Sequence, residues 1–305
     1  MTDNHRVEFG WVVQPAPRSP EHRDSLRADN QRFLELIRNH FQTVWLEDHF
    51  QWISPQGSRN TLEGWTHLCY LLAHFTEFRF GTLVLGQSYR HPALLAKMAA
   101  TLHYLSDGRF ILGIGAGWKD DEYRAYGWPF PSPGVRTRQL DEYTQIIKLM
   151  LAQSPASFEG KYYSIKDAHN DPLPNPPLPL MIGGNGERGT LRTTAQYADW
   201  WNFPLRAPEL FEQKVGVLRK HCDAVGRNFD EIVLSAFQFV SLTHDPAKIQ
   251  RSDQLNIIGG NADEVTRGLE AFVSRGARHF MLRFVDFPNT EGIELFLEKV
   301  LPRFR

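Results

Sequence analysis

His49 carries the most pointed chemistry in this chain. An imidazole titrates near neutral pH, so it can give or take a proton beside a reacting carbon. His49 follows Asp48 directly, at the end of the apolar run Thr43-Val44-Trp45-Leu46-Glu47, and is itself followed by Phe50, Gln51 and Trp52. Neighbours on an extended chain point to opposite faces. Asp48 therefore either faces away from His49 or turns with the loop to hold a donor of a bound cofactor. A histidine in a loop is more often merely solvated, and the chain has 12 of them. His91, His103, His221 and His279 fall at helix or strand positions where surface or packing roles suffice.

Two glycine patterns accompany it. Gly183-Gly184-Asn185-Gly186-Glu187-Arg188 leads from a short apolar run into a helical pattern. Backbone N–H groups at such a turn can approach an anion, the helix dipole favours the negative charge, and Arg188 could add a charge-assisted contact. An ordinary tight turn would use the same glycines. Gly113, Gly115 and Gly117 alternate along an extended stretch and do not make the dinucleotide fingerprint. They suit either room for a flat ring or close backbone packing. Trp52, Trp118, Trp200 and Trp201 all fall near predicted strand ends, where they could stack on a planar ligand or fill the core. Metal ligation has no support in the spacing of His and carboxylate residues.

These residues gain meaning from the elements that carry them. Apolar runs over 7–13, 43–47, 80–85, 110–115, 180–183, 200–203, 232–242 and 279–285 read as buried parallel strands. Helical spacing over 26–41, 64–75, 92–105, 136–151, 190–198, 208–225, 262–274 and 291–301 alternates with them. Eight strand–helix pairs with no break in composition predict one α/β domain over 1–305, a TIM (β/α)8 barrel. Insertions are expected near 154–179, where Pro172, Pro174, Pro176, Pro177 and Pro179 forbid a regular element, and near 244–260. In such a barrel, catalytic groups sit at the C-terminal strand ends. His49, the glycine strand end at Gly115 and the Gly183 turn all fall there.

Bulk properties narrow the partners. The 305 residues carry 34 basic and 35 acidic side chains, without the basic excess that nucleic acid or an anionic membrane demands. The two cysteines, Cys69 and Cys222, form no CxxC pair and read as free thiols of a reducing cytoplasm. No apolar run is long enough for a membrane helix, and no signal peptide is evident. The expectation is a cytoplasmic protein acting on a small molecule.

The run Tyr89-Arg90-His91-Pro92, Leu95-Ala96-Lys97, Ala100-Thr101-Leu102, Leu105-Ser106-Asp107-Gly108-Arg109 and Leu112-Gly113-Ile114-Gly115-Ala116-Gly117-Trp118 resembles the luciferase-like monooxygenase family. Asp48-His49-Phe50, Ile182-Gly183-Gly184-Asn185-Gly186-Glu187-Arg188 and Ala198-Asp199-Trp200-Trp201-Asn202 look like its branch that uses the deazaflavin coenzyme F-420. The resemblance covers most of the chain. It implies an oxidoreductase moving hydride between that cofactor and a small organic substrate. It implies His49 as proton donor or acceptor near the reactive ring carbon, Asp48 at the ring system, and Gly183 and Gly184 at the cofactor phosphate. At Leu83–Val84 it implies a bulge with a non-proline cis peptide that backs the ring. In the family's sugar-phosphate dehydrogenases a glutamate acts as acid where this chain has Trp118, so another substrate and a more apolar pocket are implied. Trp52 matches a pocket tryptophan only if one residue is skipped. Homodimers are common in the family. A reduced-FMN monooxygenase is the alternative within it, and a barrel that binds a flavin-like ligand without turnover is the alternative outside enzymes.

Overall fold

The computed structural model describes residues 6–17, 21–51, 61–252 and 255–305. The strands are β1 (Glu8–Val12), β2 (Thr43–Leu46), β3 (Arg79–Thr82), β4 (Leu85–Gly86), β5 (Phe110–Gly115), β6 (Ala156–Glu159), β7 (Ser164–Ala168), β8 (Leu180–Gly183), β9 (Trp200–Phe203), β10 (Val233–Leu242), β11 (Ile257–Gly260) and β12 (His279–Phe284). The helices are α1 (Leu26–Ile37), α2 (Gly64–His74), α3 (Pro92–Leu105), α4 (Asp120–Ala125), α5 (Pro133–Ala152), α6 (Thr190–Tyr197), α7 (Pro208–Val225), α8 (Ala262–Val273) and α9 (Glu291–Leu295).

Strands β1, β2, β3, β5, β8, β9, β10 and β12 pair in parallel in that order, and β12 returns to β1 to close an eight-stranded barrel. The predicted barrel is therefore the observed one. Strand alternation sorts the side chains. Val12, Trp45, Ile111, Met181, Trp200, Phe237 and Met281 fill the interior, whereas Phe9, Val44, Phe80, Leu112, Leu180 and Phe280 face the helices. Both faces are buried, which is why the strands read as unbroken apolar runs.

Local chemistry fixes the helix ends. Pro92 opens α3, where its missing N–H costs nothing, and the His91 side chain accepts from Ala93 N–H. Asn261 and Glu264 form a reciprocal capping box at α8. Gly226, at φ 69°, ends α7 in the left-handed conformation.

Four expectations are corrected. The segment 154–179 is not irregular throughout, because β6 and β7 form an antiparallel hairpin in the proline-free stretch between Pro155 and Pro172. The segment 244–260 ends in β11, which extends the sheet beside the far end of β10. The expected strand over 80–85 is two pieces, β3 and β4, and the peptide between them, Leu83–Val84, is cis as the resemblance implied. Helix α4 was not expected at all, since six residues after a glycine turn leave too little periodicity to read.

Candidate functional site

The C-terminal ends of β2, β3, β5 and β8 are neighbours along one rim, so His49, Val84, Gly115 and Gly184 share the same end of the barrel. His49 is half-buried just past β2. Its Nδ1 lies 3.0 and 3.2 Å from the carboxylate oxygens of Glu122 in α4. Glu122 is fully buried, at 0% exposure. It also accepts from the amides of Phe50 and Gln51 at 3.0 and 3.1 Å and from the Tyr89 hydroxyl at 3.3 Å. Burial by itself would depress the imidazole. The Glu122 hydrogen bond and the negative charges of Glu47 and Asp48 outweigh it and hold His49 above its ordinary value. Burial works against Glu122 too, but His49, the Gln51 amide and the charge of Lys119 keep its carboxyl below the usual range. Sequence reasoning missed Glu122 because an acidic Asp120-Asp121-Glu122 start to a short helix reads as a solvated turn.

Asp48 points the other way, into the layer between barrel and helices. It is 4% exposed, and its oxygens are taken by Arg90 at 2.9–3.1 Å and by the Gly86 amide at 3.0 Å. Burial raises its carboxyl despite the adjacent guanidinium. Asp48 therefore anchors the segment that follows Val84 and lies beneath the rim rather than on its surface.

That segment forms a shelf. Leu83 is buried and Val84 partly exposed, and the Val84 side chain sits over two glycines. A Cβ on Gly115 would come within 2.7 Å of Val84 Cγ2, and one on Gly183 within 2.9 and 3.0 Å of its two methyl groups. Gly115 and Gly183 thus make room for Val84, not directly for a ligand, while Gly113 makes room for the Thr82 carbonyl and Gly117 for the Tyr123 hydroxyl. At the turn beyond β8, Gly184 adopts φ 123°, a conformation that favours glycine. Its N–H is spent on Asn202 O at 3.1 Å, and its carbonyl accepts from Trp201 Nε1 at 2.8 Å. Asn185 is partly exposed, and Gly186 and Arg188 are exposed, at the mouth of α6.

The four tryptophans divide. Trp118 is 66% exposed and meets the His49 ring edge-on, with centroids 5.6 Å apart. Trp200 lies in the barrel interior and Trp201 in the outer core, so both are packing residues. Trp52 lies outside the described residues. A cavity of about 880 Å³ opens elsewhere, beside the ends of β10 and β12. Its lining mixes charges of both signs and includes no Phe, Tyr or Trp, so it offers a flat ring no shelf. Among the described residues no His, Cys, Asp or Glu cluster could hold a metal ion, and no helix is long and apolar enough to cross a membrane.

A closed parallel barrel with an apolar shelf and a histidine on its C-terminal rim is the architecture of a (β/α)8 enzyme. The luciferase-like monooxygenase model matches residues 7–279, and the chain belongs to that family. An F420-dependent glucose-6-phosphate dehydrogenase of Microbacterium testaceum is 27% identical over 305 residues, covering 87% of this chain and 89% of that protein. A pyrimidine monooxygenase of Stutzerimonas stutzeri is 31% identical over 149 residues, 47% of this chain and 41% of that protein. Among solved structures, an F420-dependent secondary alcohol dehydrogenase in complex with an F420–acetone adduct superposes with a TM-score of 0.83 at 19% identity, covering 98% of this chain and 99% of that one. The F420-dependent tetrahydromethanopterin reductase of Methanopyrus kandleri gives 0.79 at 20% identity, covering 98% and 100%. At that identity these structures speak to the fold.

Proposed function

We propose that the protein is a coenzyme F-420-dependent oxidoreductase acting on a small organic substrate at the C-terminal mouth of the barrel. One observation carries the reading: His49, held by a buried carboxylate, stands on the same rim as a partly exposed apolar shelf wedged into two glycines. The residues present suit a flat deazaflavin ring. Val84 would back the ring, and the Asn185–Arg188 turn at the start of α6 would take the phosphate, with Arg188 free of the barrel wall to add charge. When bound, such a ring supplies the hydride carrier.

The chain's own residues do the rest. Glu122 fixes the orientation of the His49 ring through Nδ1, so the exchangeable proton sits at Nε2. The raised basicity of the imidazole suits it to donate a proton at neutral pH. Trp118 covers one edge of His49 and presents an indole where the family's sugar-phosphate enzymes have an acid. The reading therefore favours a substrate other than a sugar phosphate.

The FMN alternative draws on the pyrimidine monooxygenase relative. Titrating the protein with each cofactor, following fluorescence quenching, separates the two: tight binding of the deazaflavin and oxygen-independent turnover support the proposal, and oxygen-dependent turnover with reduced FMN replaces it. His49→Ala is expected to cut turnover by about 10²–10⁴-fold, the usual worth of a positioned acid–base, while leaving deazaflavin affinity within about twofold. Loss of cofactor binding in that variant would move His49 from proton handling to cofactor holding.

A further inference from the structure

A second charged pair lies inside the mouth. On β12 the side chains of His279, Met281 and Arg283 share the inward face, and Met281 packs in the interior cluster with Trp45 and Trp200. Arg283, two residues nearer the C-terminal end, reaches across β1 to β2. Its Nη2 donates to Glu47 Oε2 at 2.7 Å and to Val13 O at 3.0 Å. Arg283 is 8% exposed and Glu47 9%.

Stability does not demand this pair. The layer next to it holds Met281, Trp45 and Trp200, and well-packed hydrophobic residues replace buried ion pairs at little or no cost. The pair is also incompletely satisfied. Arg283 Nε is buried and has no hydrogen-bond partner among the described residues. The guanidinium centre stands 5.6 and 5.8 Å from the ring centroids of Phe237 and Phe239 on β10. Phe239, Leu205 and Val84 are partly buried residues packed against the interior cluster. A buried donor with spare capacity thus sits among aromatic and aliphatic side chains at the C-terminal end of the barrel. Glu47 is near enough to raise His49, which ties this pair to the rim described above.

We infer that Arg283 recognises the substrate, and that the substrate presents a neutral carbonyl oxygen on an apolar body. The inference rests on the proposed reaction site being this mouth. Glu47 already balances the guanidinium, so an entering carboxylate would meet a like charge and would have to displace it. A ketone or aldehyde oxygen needs only a donor, and its hydrocarbon part is matched by Phe237, Phe239 and Leu205. Removing the pair should therefore cost affinity for ketones, and neutralising Glu47 alone should turn the site toward anions.

The test measures binding to the full chain loaded with oxidised deazaflavin, using acetophenone and benzoylformate as a matched neutral and anionic pair. Wild type is expected to bind acetophenone about tenfold tighter or more. Methionine alone at 283 would strand Glu47, so the variant is Arg283→Met with Glu47→Leu. It should weaken acetophenone about 10- to 100-fold, the worth of a charge-assisted hydrogen bond, with deazaflavin affinity unchanged. Glu47→Gln should reverse the preference toward benzoylformate. Equal ketone binding by wild type and the paired variant, a wild type that binds neither neutral nor anionic probe, or a Glu47→Gln variant with unchanged preference each overturns the inference while the cofactor reading stands. No deazaflavin binding by wild type overturns the cofactor reading itself.

Discussion

Glu122 takes His49 Nδ1 at 3.0 Å through one carboxylate oxygen and the Phe50 and Gln51 amides through the other. The carboxylate thus sets both the orientation and the charge of the imidazole while locking the loop that carries it. Glu122→Gln keeps much of the shape but removes the charge. His49 should then fall from its raised value toward or below the ordinary 6.5, because burial is left less opposed. The limb of the pH–rate profile set by His49 should move to lower pH, and an NMR titration of the His49 ring should show the same displacement. An unmoved limb would mean that another group governs the rate.

The same pair has a signature in stability. A raised histidine stabilises the fold below its unfolded value, near 6.5, and that contribution fades as pH rises through the folded value. A lowered glutamate stabilises above its unfolded value, near 4.5, and fades as pH falls through the folded value. The stability difference between wild type and Glu122→Gln should therefore be greatest between about 4.5 and 6.5 and shrink on both sides. Urea unfolding across pH 3–9 would check this; a difference flat with pH would show that hydrogen bonding, not charge, holds the pair.

Asp48 supplies a contrasting case. Arg90→Met would leave its buried carboxylate with only the Gly86 amide, a loss expected to cost about 3–5 kcal/mol at neutral pH. Burial already raises Asp48 above 3.8, and losing Arg90 would raise it further. The variant's deficit should thus be largest at neutral and higher pH and diminish as acid protonates Asp48. Adding Asp48→Asn should recover much of it. A deficit independent of pH would locate the damage in packing instead.

The barrel was legible because its eight strands are buried on both faces and several helices open or close with local chemistry, as at Pro92, Asn261 and Gly226. His49 was legible because the strand before it ends cleanly. Glu122 and Arg283 were not, for a common reason. A buried charge is betrayed by its partner, and each partner lies far along the chain, 73 residues away for His49 and 236 for Glu47. The partner of Asp48 was hidden for the same cause, since Arg90, 42 residues on, reads as one more helix-flanking cation. The hairpin β6–β7 was hidden by prolines that flank it, Pro155 before it and the run from Pro172 after it.

The shelf can be tested through its glycines. Gly115→Ala would place a methyl 2.7 Å from Val84 Cγ2 and 3.5 Å from Gly183 O, too close for the side chain to stay where it is. Overfilling of this kind costs about 1–3 kcal/mol. Val84→Ala alone, at a partly exposed position, should cost less. If Val84 is the neighbour that matters, the double variant should be more stable than the sum of the singles by about 1–3 kcal/mol, because the truncated shelf gives the new methyl room. Deazaflavin affinity separates packing from function. Gly115→Ala should weaken it by tilting the shelf, and the double variant, with its stability recovered, should remain weak because the shelf has lost its methyl groups. Simple additivity of the stability changes would show that Gly115 answers to some other neighbour. Full recovery of affinity in the double variant would show that the ring does not rest on Val84.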